Sequence, residues 1–121
     1  MPAPVVFIDI AGPDSQLLRA FYADLFDWQF GADGNFSTYV ATTPDESSRL
    51  NGTVREDKPE KVFYVGVVDV TATLEQAVAL GGSIDQPRFE VPGVVVLGLF
   101  RDPAGNRIGL VEMKNGIVTI P

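Results

Sequence analysis

The 121-residue sequence predicts an α+β fold built from two tandem βαβββ modules. Three observations lead there. Runs of β-branched and aromatic residues alternate, twice, with an amphipathic helical pattern. The second half repeats the order of the first: Val6-Phe7 lines up with Val62-Phe63 at an offset of 56, and Ala20 with Ala77 at 57. Offsets near half the chain, over mixed elements, indicate a duplicated supersecondary unit rather than a solenoid. A composition of 45% hydrophobic and 21% charged residues is that of an ordinary folded domain. The expected organisation is one domain over 1–121, with module 1 at about 4–56 and module 2 at about 61–114.

Val5 to Ile10 is β-branched and aromatic and reads as a strand that Gly12-Pro13 ends. Asp14 stands where an N-cap belongs. Leu17, Leu18, Phe21, Tyr22, Leu25 and Phe26 follow at helical spacing, predicting one apolar stripe on a helix to Phe26. A short strand is expected at Trp28 and Phe30, then a Gly/Asp/Asn turn, a strand over Phe36 to Thr42, a loop from Thr43 to Arg49 and a strand near Leu50 to Val54. The charged run Arg55 to Lys61 reads as a solvated connector. In the second module Val62 to Val68 is a strand, Thr71 is the expected helix cap, and Leu74, Ala77 and Val78 form the stripe. Gly81 is placed to end that helix in a left-handed conformation. Strands are expected at Ser83 to Gln86, Val94 to Phe100 and Arg107 to Met113, with a turn at Asp102 to Asn106; the tail from Lys114 has no clear pattern.

The residues missing from the chain exclude whole classes of chemistry. It has no cysteine and no histidine, so disulfides, thiolate sites, Ser-His-Asp triads and histidine-based zinc sites are ruled out. Nine basic against sixteen acidic residues leave a net charge of −7, opposite to the footprint that a nucleic acid needs. No apolar run approaches the roughly 20 residues of a membrane span, and the N-terminus lacks a signal pattern, so a cytoplasmic protein is expected.

Three stretches resemble a known family. Asp14-Ser-Gln-Leu-Leu-Arg-Ala-Phe-Tyr-Ala-Asp-Leu-Phe-Asp-Trp28 is similar to its first helix and the entry to the next strand, with Asp27 in place of the usual glycine. Val67-Val-Asp-Val-Thr-Ala-Thr-Leu74, continuing to Leu80-Gly-Gly82, is similar to its second helix, and Phe100-Arg-Asp-Pro-Ala-Gly-Asn-Arg-Ile-Gly-Leu110 to its last hairpin. Together they resemble the vicinal oxygen chelate superfamily, which includes glyoxalase I, extradiol dioxygenases and the bleomycin- and fosfomycin-resistance proteins. The resemblance implies curved mixed sheets around a cavity with the helices outside, and a homodimer.

The resemblance also places the family's metal ligands. They would fall on Phe7, Phe63 and Gly109, with a fourth near Asn51 or Thr53. Two phenylalanines and a glycine offer no donor, so no metal and no cofactor are expected. In their place Phe7, Phe63 and Val65 opposite Gly109 would line an apolar slot for a planar ligand. Trp28, Tyr39 and Asn51 complete the candidate ligand-binding set. Tyr64 should face away from Phe63. The phenylalanines equally suit a filled core, and Trp28 a core position.

Asp9 has the parity of Phe7 and reads in two ways. It is a ligand-binding or acid/base group, or it is an internal carboxylate satisfied by backbone, Arg107 or Arg101. The leading expectation is a metal-independent small-molecule-binding protein of the bleomycin-resistance type, sequestering an aromatic compound, for which the acidic charge admits a cation. The alternative is a metal-free isomerase, lyase or cyclase acting on a natural product, with Asp9 as catalytic residue and Tyr39 assisting. A domain whose cavity is filled and whose role is protein association is the third.

Overall fold

The computed structural model describes residues 2–42 and 45–121; the expected loop positions Thr43 and Pro44 lie outside the described residues. In chain order the elements are β1 (Val5–Gly12), α1 (Ser15–Phe26), β2 (Asn35–Tyr39), β3 (Arg49–Glu56), β4 (Glu60–Val67), α2 (Val70–Ala79), β5 (Ser83–Val91), β6 (Val95–Arg101), β7 (Arg107–Lys114) and β8 (Ile117–Val118). A single 3-10 turn at Glu46–Ser48 precedes β3. This is the mixed α+β architecture expected. The chain divides into two compact units, Phe7–Val62 and Phe63–Pro121, the second including the N-terminal residues up to Val6.

In the unit Phe7–Val62, β3 is the central strand. It pairs in parallel with β1 (Phe7↔Asn51, Asp9↔Thr53, Ala11↔Arg55) and antiparallel with β2 (Ser37↔Asn51, Tyr39↔Arg49). Directly paired residues share a sheet face. Phe36, Gly52 and Ile8 therefore form a row toward α1, and Ser37, Asn51 and Phe7 a row on the opposite face. Asp14 caps α1 as its position predicts, its carboxylate accepting the Leu17 N–H at 3.1 Å. The stripe is split in this chain: Leu18 and Tyr22 are half-buried, whereas Leu17, Phe21, Leu25 and Phe26 are exposed.

The strand expected at Trp28 and Phe30 does not form. Residues 27–31 run without a ladder, and both rings are drawn onto the buried Phe36, with centroids 4.6 Å away for Trp28 and 5.1 Å for Phe30. Trp28 also meets Tyr22 and Phe26, closing an aromatic stack between the end of α1 and β2. Packing of large rings outweighs strand propensity here. The expected solvated connector is also mostly ladder: β3 runs through Glu56 and β4 begins at Glu60.

The second unit orders its strands β4-β7-β6-β5, with β8 on the far side of β7 in a separate pairing. β4 and β7 are parallel; β5, β6 and β7 are antiparallel neighbours. Val70 and Leu74 of α2 bury against Leu110, with Val65, Val67 and Phe100 packed around them. The helix cap is Asp69 instead of the expected Thr71, because its carboxylate reaches the Ala72 N–H at 2.9 Å. Gly81 does end the helix region in the left-handed region, at φ 101. β5 runs on to Val91 past Pro87, tolerating the proline through register shifts between Ile84 and Phe89. The unplaced tail is a hairpin: Asn115 and Gly116 take φ values of 54 and 75 and return the chain as β8. Asn-Gly is the pair that a two-residue hairpin turn favours. Among the described residues no helix is long and apolar enough to cross a membrane.

Candidate functional site

Within the unit Phe7–Val62 an open groove of about 600 Å³ lies along the sheet. β1 contributes Phe7; β2 contributes Asn35, Ser37 and Tyr39, with Phe36; β3 contributes Arg49 and Asn51, with Gly52; and the segment after α1 contributes Asp27 and Gln29. The alternation of the strands explains this set. Ser37, Asn51 and Phe7 are direct register partners across three strands, so their side chains emerge as one row. The Ser37 hydroxyl donates to Asn51 Oδ1 at 2.8 Å. That bond fixes the Asn51 amide and leaves its NH₂ as a donor. Arg49 is held by Glu46 at 3.0 Å in an exposed ion pair.

Phe7, Tyr39 and Asn51 of the sequence-derived candidates thus line one groove. Asp9 and Trp28 do not line it. Asp9 is 3% exposed, and its Oδ2 accepts from Arg55 Nε at 2.6 Å. The same guanidinium bonds Asp57 at 2.6 Å and Glu60 at 3.1 Å. Burial works against the charge on Arg55; the hydrogen bonds and charges of Asp9 and then Asp57 outweigh it, so its pKa is raised. Arg55, taken in sequence for a solvated residue, is a partner that the Asp9 reading missed. Arg107 and Arg101 reach Asp85, at 2.8 Å and 3.5 Å.

Phe63, Val65 and Gly109 belong to the other unit, and their expected arrangement needs correction. The parallel register sets Tyr64, not Phe63, opposite Gly109. A Cβ at position 109 would run into the Tyr64 ring, whose Cγ stands 2.7 Å from it, so the space left by the glycine is filled by tyrosine. Phe63 and Val65 have the other parity, and Val65 packs with the α2 core. Phe63 and Gly109 therefore do not face each other across a slot. A one-residue displacement of register transfers every side chain to the opposite face.

Comparison with known proteins agrees with this architecture. The model of a glyoxalase-like domain matches residues 5–111. The chain belongs to the glyoxalase-like domain family. CFP32 of Mycobacterium tuberculosis (strain CDC 1551 / Oshkosh), whose name marks it as a candidate glyoxylase, is 26% identical over 122 aligned residues, covering 92% of this chain and 46% of that protein. The chain thus spans about half the length of the curated relatives it matches. Among solved structures, the methylmalonyl-CoA epimerase of M. tuberculosis is 15% identical with a TM-score of 0.57, covering 91% of this chain and 87% of its own. A methylmalonyl-CoA epimerase of Streptomyces coelicolor is 12% identical with a TM-score of 0.64, covering 98% and 99%. At such identity these neighbours show a shared fold alone; it is the glyoxalase-like match over residues 5–111 that places the chain in the vicinal oxygen chelate superfamily.

The family's metal can be tested against the residues present. Phe7 brings no donor atom, and Gly109 has neither a donor nor room for one beneath Tyr64. Among the described residues no three acidic side chains are grouped so as to hold an ion, and histidine and cysteine are absent from the chain. This donor set does not fit a divalent cation.

Sequence reading missed Asp27, Gln29, Asn35, Ser37 and Arg49 as groove residues. For Asp27 a signal existed, since it replaces the glycine usual in the family at that position. It occupies a left-handed conformation, φ 59 and ψ 27, directly after α1. An aspartate is strained there relative to glycine by about 1 kcal/mol.

Proposed function

We propose that this protein is a metal-independent binder of small aromatic molecules, sequestering them in the groove of Phe7 and Tyr39 as bleomycin-resistance proteins do with their ligand. The reading is carried by one observation. Two aromatic side chains, Phe7 and Tyr39, share a groove with the fixed Ser37–Asn51 pair, while Phe7 and Gly109, two of the positions where the resemblance puts a metal ligand, carry no donor. A ring laid on these faces gains apolar burial, and the Asn51 amide with Gln29 and Asn35 supplies orientation. The cleft is more polar than an aromatic slot built of Phe7, Phe63 and Val65 would be. Its ligand accordingly carries hydrogen-bonding groups around the ring.

A metal-free isomerase or lyase is the second reading, and one observation favours it: the exposed carboxylate of Asp27 in the groove wall, which has the chemistry of a proton acceptor. The engagement of Asp9 with Arg55 supports sequestration over an Asp9-based acid/base mechanism.

A thermal-shift panel of aromatic metabolites and antibiotics tests the proposal. A ligand that binds only the folded form raises the unfolding midpoint in proportion to the logarithm of its concentration. The expected result is saturable stabilisation by a subset of aryl compounds, unchanged by chelator and lost in Phe7→Ala. Stabilisation that needs an added divalent ion, or that survives Phe7→Ala intact, overturns it. Chemical conversion of a stabilising compound, monitored in the same samples, decides for the second reading.

A further inference from the structure

We propose that the groove selects aryl compounds bearing a single carboxylate, which Arg49 and Asn51 clamp through their N–H donors; this rests on reading the groove as an aryl-binding site. Strand register brings the parts together. Tyr39 pairs with Arg49 and Ser37 with Asn51, while Phe7 pairs with Asn51 from the other side. Alternate residues of a strand and direct partners across strands share a face, so these five side chains stand on one side of the sheet, along the groove. Arg49 and Asn51 are then about 6.8 Å apart along β3, with Tyr39 and Phe7 each about 5 Å from its own partner. The diagonal from Phe7 to Arg49 is about 8 Å between Cα atoms. A ring resting on Phe7, with a carboxylate on a short stem, spans that diagonal together with the flexible arginine side chain.

Both β3 residues present donors that the unit itself uses little. The Ser37 hydroxyl occupies Asn51 Oδ1 at 2.8 Å, so what the amide has left to offer a ligand is its NH₂. Arg49 is the one cation among the described lining residues, and its ion pair is with Glu46, whose side chain is 81% exposed. An ion pair in water between two long side chains holds weakly, and a ligand carboxylate can take the place of Glu46. The guanidinium presents its N–H groups as a fork that matches the two oxygens of a carboxylate. The Asn51 amide beside it supplies a further donor to the same group. An ammonium in this position would meet donors and a like charge.

Two features oppose an anion, and magnitudes decide between them and the clamp. The net charge of −7 repels an anion at long range. In about 0.15 M salt that field decays over about 8 Å, whereas a forked guanidinium–carboxylate contact acts at about 2.8 Å. The contact prevails once the ligand has arrived. Asp27, the other charged residue of the groove, comes from the segment after α1 and not from the strand rows. It disfavours a second anionic group, which limits the ligand to one carboxylate.

Phenylacetate, phenylacetamide and 2-phenylethylamine share a ring and a short stem and differ in charge, which makes them suitable probes. Binding is followed by calorimetry and by the fluorescence of Trp28, the single tryptophan, which stacks on the groove residue Phe36. The expected result is phenylacetate binding roughly tenfold more tightly than phenylacetamide, with the amine weakest and the preference shrinking as salt is raised. Arg49→Gln should bring phenylacetate down to the affinity of phenylacetamide with the thermal midpoint of the free protein kept, because the Arg49 side chain is 42% exposed. Arg49→Lys should retain part of the preference, having the charge without the fork. Glu46→Gln should tighten phenylacetate by releasing the guanidinium, whereas Glu75→Gln on α2, an equal change of charge outside the groove lining, should leave it unchanged. Ser37→Ala should weaken phenylacetate severalfold and Ser37→Thr restore it, as expected of a residue that positions Asn51. Phenylacetamide or the amine binding as tightly as phenylacetate, or an acid preference that survives Arg49→Gln, overturns the clamp and leaves the aryl-binding reading standing. Failure of all three probes to bind overturns that reading, and this inference with it.

Discussion

Arg55 Nε stands 2.6 Å from Asp9 Oδ2, joining parallel neighbours β1 and β3 across 46 residues of sequence. Asp9 is directly paired with Thr53, so Arg55 reaches it from two residues further along the same face. The carboxylate is almost wholly buried and the guanidinium about two-thirds so. Removing one member of such a pair leaves a buried charge with less compensation, at a cost of about 3 kcal/mol. Arg55→Leu should therefore lower the urea midpoint substantially. Asp57→Asn, at the exposed end of the same guanidinium, should cost less than about 1 kcal/mol. Equal effects of the two substitutions would show that the Asp9–Arg55 pair is not the anchor of this sheet.

Gly109 is required by its neighbour across the strands. An added methyl must displace the Tyr64 ring or the backbone of β7. Gly109→Ala should destabilise by about 1–3 kcal/mol, the range for overpacking a core. Combining it with Tyr64→Ala should cost less than the sum of the two single changes, because the clash is then gone. Additive losses in equilibrium unfolding would contradict the packing described.

The acid side of the stability profile follows from the paired carboxylates. A side-chain hydrogen bond from Arg107 holds Asp85 below the usual carboxylate range, and one from Arg88 does so for Glu112. Asp102 is lowered by the Asn106 side chain and by backbone N–H groups of its turn. A carboxyl with a lower pKa folded than unfolded stabilises the fold above its unfolded value, near 4, and that stabilisation is lost as pH falls through the folded value. With no histidine in the chain, stability should be nearly level from about pH 6 to 8 and fall steeply below about pH 4. Denaturant titrations across this range check it, and Asp85→Asn should make the acid limb shallower. An unchanged limb in that variant would remove Asp85 from the account.

The chain announced some of these features and concealed others. Asp14 and the Leu18–Tyr22 spacing marked α1 because capping and helical periodicity act within a few residues. Gly81 was readable for the same reason. The Asn115-Gly116 turn was equally local, and the hairpin it makes was there to be found. Asp69 took the cap expected of Thr71 by a shift of two positions, within the usual slack of element ends. Trp28 and Phe30 have strand propensity, yet their rings are held by Phe36, whose position depends on how β2 pairs with β3. Arg55 looked like a solvent-facing charge because its partner Asp9 comes from another strand.

For the site, the residue types were legible and their grouping was not. Parity placed Phe7 and Asp9 on one face of β1, and the lack of a donor at Phe7 and Gly109 was visible in the letters. Which of Phe63 and Tyr64 accompanies Gly109 depended on a register that no local pattern encodes. The groove residues Asp27, Ser37 and Arg49 come together through strand pairing and the path of the chain after α1.

Helix positions, the α+β class, the acidic charge and the absence of a donor at Phe7 and Gly109 were thus properties of the amino-acid string, because each arises from residue type or from contacts within a turn or two. The Asp9–Arg55 pair, the Tyr64 ring over Gly109 and the make-up of the groove came from folding, because they depend on pairing between strands far apart in the chain, where one step of register exchanges the buried face for the open one.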